Sequence, residues 1–128
     1  MLPQINRLTR KRDFEIVFEN GRFVSGALVL AKVWQPNLEQ FPKRGYKVDD
    51  LKFGFVVSKK VEKRAVWRNR VKRQMREVVR LLLKEERIES GYLVVIVAKS
   101  EIIGHEYNDI EKDLLSVLQR ARVLKKKV

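Results

Sequence analysis

Ten basic residues, Lys59, Lys60, Lys63, Arg64, Arg68, Arg70, Lys72, Arg73, Arg76 and Arg80, fall in a window of 22 that holds two acids, Glu62 and Glu77. Wound at about 100° per residue, Asn69, Lys72, Arg73, Arg76 and Arg80 share one side of a helix, nearly opposite Val71, Met75, Val78 and Leu82. Arginine dominates the row, and its planar fork suits phosphate oxygens and stacking on bases. Asn69 within the row offers a contact to a base edge or a backbone group. Such a face is either merely solvated or docks on a polyanion. Like charges four apart, as at Lys72–Arg76 and Arg76–Arg80, cost a helix about 0.2–0.5 kcal/mol per pair, and the near absence of opposite charge favours the polyanion.

Aromatic side chains supply a second chemistry. Phe14 and Phe18, four apart, share a helix face, and with Phe55 they have the ring faces that stack on unpaired bases, worth about 1–3 kcal/mol per base. Phenylalanine at this spacing also serves as core, and the residues alone leave both readings open. Protein-based catalysis finds little support. His105 is the sole histidine and reads as an exposed loop residue. Asp49 and Asp50 are neighbours in a charged loop, where a solvated turn explains them better than a metal pair. Asp109, Glu111 and Asp113 suit the dipole at the start of the last helix. No glycine-rich phosphate loop is present.

The elements that must position these groups follow from periodicity. Residues 9–20 read as a short helix, with Thr9 as N-cap, Asn20-Gly21 as stop, and Ile16 and Val17 turned to other parts of the surface than the phenylalanines. Arg22–Trp34 reads as a strand or bent pair of strands, residues 35–50 as a long loop, and Phe53–Ser58 as a strand. A long helix runs from about Ala65 to Ile88, ended by Ser90-Gly91. Tyr92–Ala98 has the continuous apolar character of a strand buried on both faces. After a loop at Ser100–Tyr107, Ile110, Leu114, Val117, Leu118 and Ala121 recur at helical spacing. This order implies an α/β layer sandwich.

The 128 residues suit one domain, 1–128, and their 45% hydrophobic content is too high for a disordered tail. The formal net charge of +13, which includes a Lys125–Lys127 tail, makes nucleic acid the leading partner class. A basic helix on an anionic membrane is the competitor, weakened because the apolar face is needed for the core. No apolar run has bilayer length and no secretion signal opens the chain, so the cytoplasm is expected. Without cysteine there is no disulfide framework or thiolate metal site.

Val57-Ser58-Lys59-Lys60-Val61, then Arg68-Asn69-Arg70-Val71-Lys72-Arg73 and Arg76-Glu77, resemble the signature of the protein subunit of bacterial ribonuclease P. Leu2-Pro3, Arg7-Leu8, Asp13-Phe14, Val17-Phe18 and Gly21-Arg22 match that family's N-terminal pattern, and Tyr92–Val97 stands where the family has its last strand. The resemblance spans essentially the whole chain. It implies an α/β (α+β) two-layer sandwich of three helices on a mixed sheet of about four strands. The fold would be ribosomal protein S5 domain 2-like, with a left-handed βαβ crossover through the long basic helix. It also implies a subunit of a tRNA 5′-maturation endoribonuclease in which the RNA carries the active site and holds Mg2+, the protein alone being inactive. Lys59, Lys60, Arg64, Arg68, Asn69, Arg70, Lys72, Arg73, Arg76 and Arg80 would then bind RNA. Phe14, Phe18 and Phe55 would hold the single-stranded 5′ leader of precursor tRNA. The implied partners are the catalytic RNA, in a 1:1 complex with a monomeric protein, and precursor tRNA, with no membrane. The alternative is a ribosomal-protein-like or general RNA-binding module. The 35–50 loop looks longer than the family's usual one, and Trp67 has no assigned role.

Overall fold

The computed structural model describes residues 2–125, so Lys126 and Lys127 of the basic tail lie outside the described residues. Helix α1 spans Lys11–Asn20, followed by strands β1 (Arg22–Ser25), β2 (Val29–Trp34) and β3 (Leu51–Val56). Helix α2 (Ala65–Lys84), strand β4 (Tyr92–Ala98) and helix α3 (Tyr107–Arg120) complete the order, with short 3-10 turns at Gln4–Asn6 and Ser100–Ile102. The strands form one mixed sheet in the order β1-β2-β4-β3. β1–β2 and β2–β4 are antiparallel, whereas β3 runs parallel to β4 and reaches it through α2. No helix among the described residues is long and apolar enough to cross a membrane.

Alternation along the strands divides the core between the two sheet faces. Val29, Ala31, Val33, Phe53, Val94 and Ile96 pack with Val71, Met75, Val78, Val79 and Leu82 of α2 and Ile110, Leu114, Val117 and Leu118 of α3. Leu93 and Val95 project the other way, where α1 covers them with Ile16 and Val17. Tyr92–Ala98 is therefore central and covered on both faces, as its uninterrupted apolar run requires.

Several boundaries differ from the expected ones. Thr9 is not the N-cap of α1; Arg10 holds that position in an extended conformation, with no side-chain cap. Ile16 and Val17 do not face the surface but are fully buried, because the apolar face of β4 formed by Leu93 and Val95 needs a matching pair. Burying each is worth about 1.5–3 kcal/mol, which decides how α1 rolls onto the sheet. Strand β3 begins at Leu51 and ends at Val56, its length set by pairing with Tyr92–Val97. Helix α2 stops at Lys84 rather than near Ile88: Glu86 takes a left-handed φ of 55°, Arg87 N donates to Leu82 O at 3.0 Å, and Ile88 leaves to bridge with Leu124. Part of the Ser100–Tyr107 loop is a 3-10 turn, and Tyr107 is already helical.

Two tight contacts lock the β1–β2 pair, one at each end. A Cβ at Gly21 would stand 2.6 Å from Val17 O and 3.2 Å from Val33 N, so only glycine lets α1 turn into β1 here. Asp113 of α3 accepts the backbone N–H groups of Ala27 (2.9 Å), Leu28 (2.9 Å) and Val29 (3.0 Å), fastening the β1–β2 turn to the helix. Hydrogen bonds to an ionised group contribute more than neutral ones, and their loss strands donors that the fold partly buries. Asp113→Ala is therefore expected to lower the unfolding free energy by about 2–3 kcal/mol, read from urea melts; an unchanged midpoint contradicts this role.

Candidate nucleic-acid interface

The approach to α2 is a hydrogen-bonded turn. Ser58 O accepts from Val61 N at 3.1 Å and Glu62 N at 3.2 Å, leaving Lys59 and Lys60 exposed at its tip. The Glu62 carboxylate receives Arg64 Nε at 2.8 Å and Arg64 N at 3.1 Å, and Arg64's side chain, then its backbone N–H, hold Glu62 below the usual carboxylate range. Arg68 reaches back, its Nη1 donating to Glu62 O at 3.0 Å and Lys63 O at 2.6 Å. Arg68 thus helps to build the turn that presents the other cations.

Along α2 the apolar stripe is buried, and the opposite side displays Asn69 and Arg73 in the open and Lys72, Arg76 and Arg80 at half burial. Glu77 pairs with Arg80 through contacts of 2.6 and 2.8 Å, which lower the Glu77 pKa and raise that of Arg80. Among the described residues, Lys72, Arg73 and Arg76 have no such carboxylate within salt-bridge distance. They are the row's available cations.

Beside them lies a cleft of about 270 Å³ between α1, β3 and α2, whose walls include Phe14, Phe55, Lys72 and Arg76. Gly54 makes it possible: a Cβ there would sit 2.4 Å from Phe14 Cε1, so the ring lies against bare strand backbone. The structure brings Phe14 and Phe55 together with two cations of α2. Phe18, one turn further along α1, is 38% exposed and does not line this cleft.

Sequence reasoning missed how the 35–50 loop is held. Trp34 is caged edge-on by Phe41 (ring centroids 5.7 Å apart) and Tyr46 (5.3 Å), while Arg44 Nη2 (2.6 Å) and the Tyr46 hydroxyl (2.7 Å) both donate to Asp13 Oδ1. Desolvation, then the bond to Asp13, raises the Tyr46 pKa and keeps the phenol protonated as a donor. The signal available in the sequence was two aromatics, Phe41 and Tyr46, inside a loop of mostly polar and charged residues. His105 sits exposed, with Nδ1 3.2 Å from Asp109 Oδ2. No group of three or more histidine, aspartate or glutamate side chains that could hold a metal lies among the described residues.

The sequence profile of the family described as Ribonuclease P matches residues 2–122. Relatives named "Ribonuclease P protein component" include that of Rippkaea orientalis, 33% identical over 124 residues and covering 96% of this chain and 91% of the relative. The one from Microcystis aeruginosa is 33% identical over 123 residues, covering 96% of both. The solved RNase P protein of Staphylococcus aureus superposes with a TM-score of 0.75 at 24% identity, covering 93% of this chain and 97% of that one. That of Thermotoga maritima gives 0.70 at 25% identity, covering 90% and 96%.

A cation that neutralises a phosphate releases counterions and steepens the salt dependence of binding. Arg73→Ala is expected to reduce the slope of log affinity against log salt for a structured RNA by roughly one unit. Unchanged slopes remove Arg73 from the interface. Arg68→Ala is expected to weaken binding further by loosening the turn, seen as faster hydrogen exchange at residues 59–64.

Proposed function

This chain belongs to the family of ribonuclease P protein components, and from that premise we propose that its α2 face docks on the catalytic RNA while the adjoining cleft holds the precursor tRNA leader. As the protein subunit of ribonuclease P it binds that enzyme's RNA and serves tRNA processing. The proposal adds which residues do so: Lys59, Lys60, Arg64, Arg68, Asn69, Arg70, Lys72, Arg73, Arg76 and Arg80 for RNA, and Phe14 and Phe55 for the single-stranded leader, Phe18 lying outside the cleft. The whole chain acts as one RNA-binding domain, monomeric in a 1:1 complex with the RNA, in the cytoplasm.

The observation that carries this reading is the cleft in which Phe14 and Phe55 stand beside Lys72 and Arg76. Such a groove takes phosphates on its cationic wall and base faces on its rings, which is how single strands are held without sequence readout. Duplex RNA does not offer unpaired bases to such rings. The chain's own part in cleavage is therefore binding and orientation: it neutralises phosphates of two RNAs that otherwise repel, and it fixes the leader beside them. Magnesium held by the RNA would supply the hydrolytic chemistry when bound. By screening that repulsion the protein lowers the magnesium concentration the reaction requires.

Phe14→Ala is expected to weaken binding of leader-bearing precursor tRNA to the reconstituted complex roughly tenfold, the loss of about one stacked base, while sparing mature tRNA. Equal losses for both RNAs, with the urea midpoint unchanged, would move the protein to the general RNA-binding reading and sink leader capture.

A further inference from the structure

Immediately before the cationic row stand two exposed apolar residues, Val66 (72% exposed) and Trp67 (40% exposed). Trp67 belongs to neither core cluster of the described residues. Instead it lines a cleft of about 590 Å³ between the first turns of α2 and residues 102–107, together with Arg64, Arg70, Gln74, Ile103 and His105. The volume is in the range of ligand pockets and ample for one flat heterocycle. Ile103 is also exposed, so one side of the cleft is greasy on both walls.

The guanidiniums of Arg64 and Arg70 lie 5.3 and 5.2 Å from the Trp67 ring centroid. Their situations differ. Arg64 is tied to Glu62 at 2.8 Å, whereas Arg70 has no carboxylate within salt-bridge distance among the described residues. Its guanidinium is therefore the one free to leave the ring for a stronger acceptor, and a phosphate oxygen is such an acceptor. A partner that supplies an anionic group next to a flat π-face satisfies both Arg70 and the indole at once. A membrane needs a broad apolar face, which α2 has already spent on the sheet. An acidic peptide supplies the charge but no ring for the indole.

We propose that this cleft receives an unpaired base of the ribonuclease P RNA, stacked on Trp67, with Arg70 turning from the indole to the phosphate beside that base. The proposal rests on the family reading above and adds a base contact separate from the leader cleft. Stacking is largely insensitive to ionic strength, whereas phosphate contacts are not, so the two are separable in one titration.

The test is binding of the full chain to its cognate ribonuclease P RNA over a range of salt, with wild type, Trp67→Leu, Trp67→Phe and Arg73→Ala in parallel. Trp67→Leu is expected to lose roughly tenfold in affinity with an unchanged salt slope, and Trp67→Phe to recover most of it. Since Trp34 is the only other tryptophan, Trp34→Phe leaves Trp67 as the sole indole emitter, and its emission is expected to be quenched by the RNA but not by poly-glutamate. Wild-type affinity in Trp67→Leu, a loss that appears as a changed slope, or quenching by poly-glutamate alone overturns the base pocket. If Arg73→Ala still lowers the slope in that case, the proposed docking of α2 on the RNA survives the loss. Failure of the wild type to bind the RNA removes both.

Discussion

The packing of α2 on the sheet is the contact on which everything else depends. Val71, Met75, Val78, Val79 and Leu82 are buried against Phe53, Val94 and Ile96, and that apolar anchorage holds a helix whose opposite face is crowded with like charge. Each repelling pair costs only tenths of a kcal/mol, and each buried aliphatic side chain returns about 1.5–3 kcal/mol, so the sheet wins easily. The helix can therefore show its cationic side chains in the free protein, already aligned along one face. Such preorganisation avoids an ordering cost at the moment of binding.

Acidic residues are placed to shape this surface. Glu62 holds Arg64, Glu77 holds Arg80, Asp13 gathers Arg44 and Tyr46, and Asp113 gathers three backbone donors. Each is a fastening within the chain, and among the described residues Arg73, Arg76 and Lys72 are left without a carboxylate partner. Basic side chains therefore cluster along α2 and beside the Phe14 cleft, and one sign of charge lining a cleft steers an anionic partner toward it.

Much of this was legible in the sequence because period and composition act locally. The β4 run, the buried stripe of α3 and the two-sided character of α2 follow from residues a few positions apart. The family signature could be read from the Lys59-Lys60 turn and the Arg68-Asn69-Arg70 start of the helix. What escaped depends on partners far apart in the chain. Asp113 looked like a dipole residue, and only the fold brings it to Ala27–Val29. Arg68 looked like one more cation, although it bonds the carbonyls of the preceding turn. Ile16 and Val17 are buried because α1 meets β4, a contact no local periodicity announces. Phe14 and Phe18 share a helix face, yet only Phe14 reaches the cleft because Gly54 leaves room beneath its ring.

The central claim is that this protein assists a catalytic RNA and does not cleave by itself. Its most direct test is cleavage of a precursor tRNA at low magnesium by the protein alone, by the cognate ribonuclease P RNA alone, and by the two together. The account predicts correct 5′ processing only when both are present. Cleavage by the protein alone, or no gain when it joins its RNA, would contradict it.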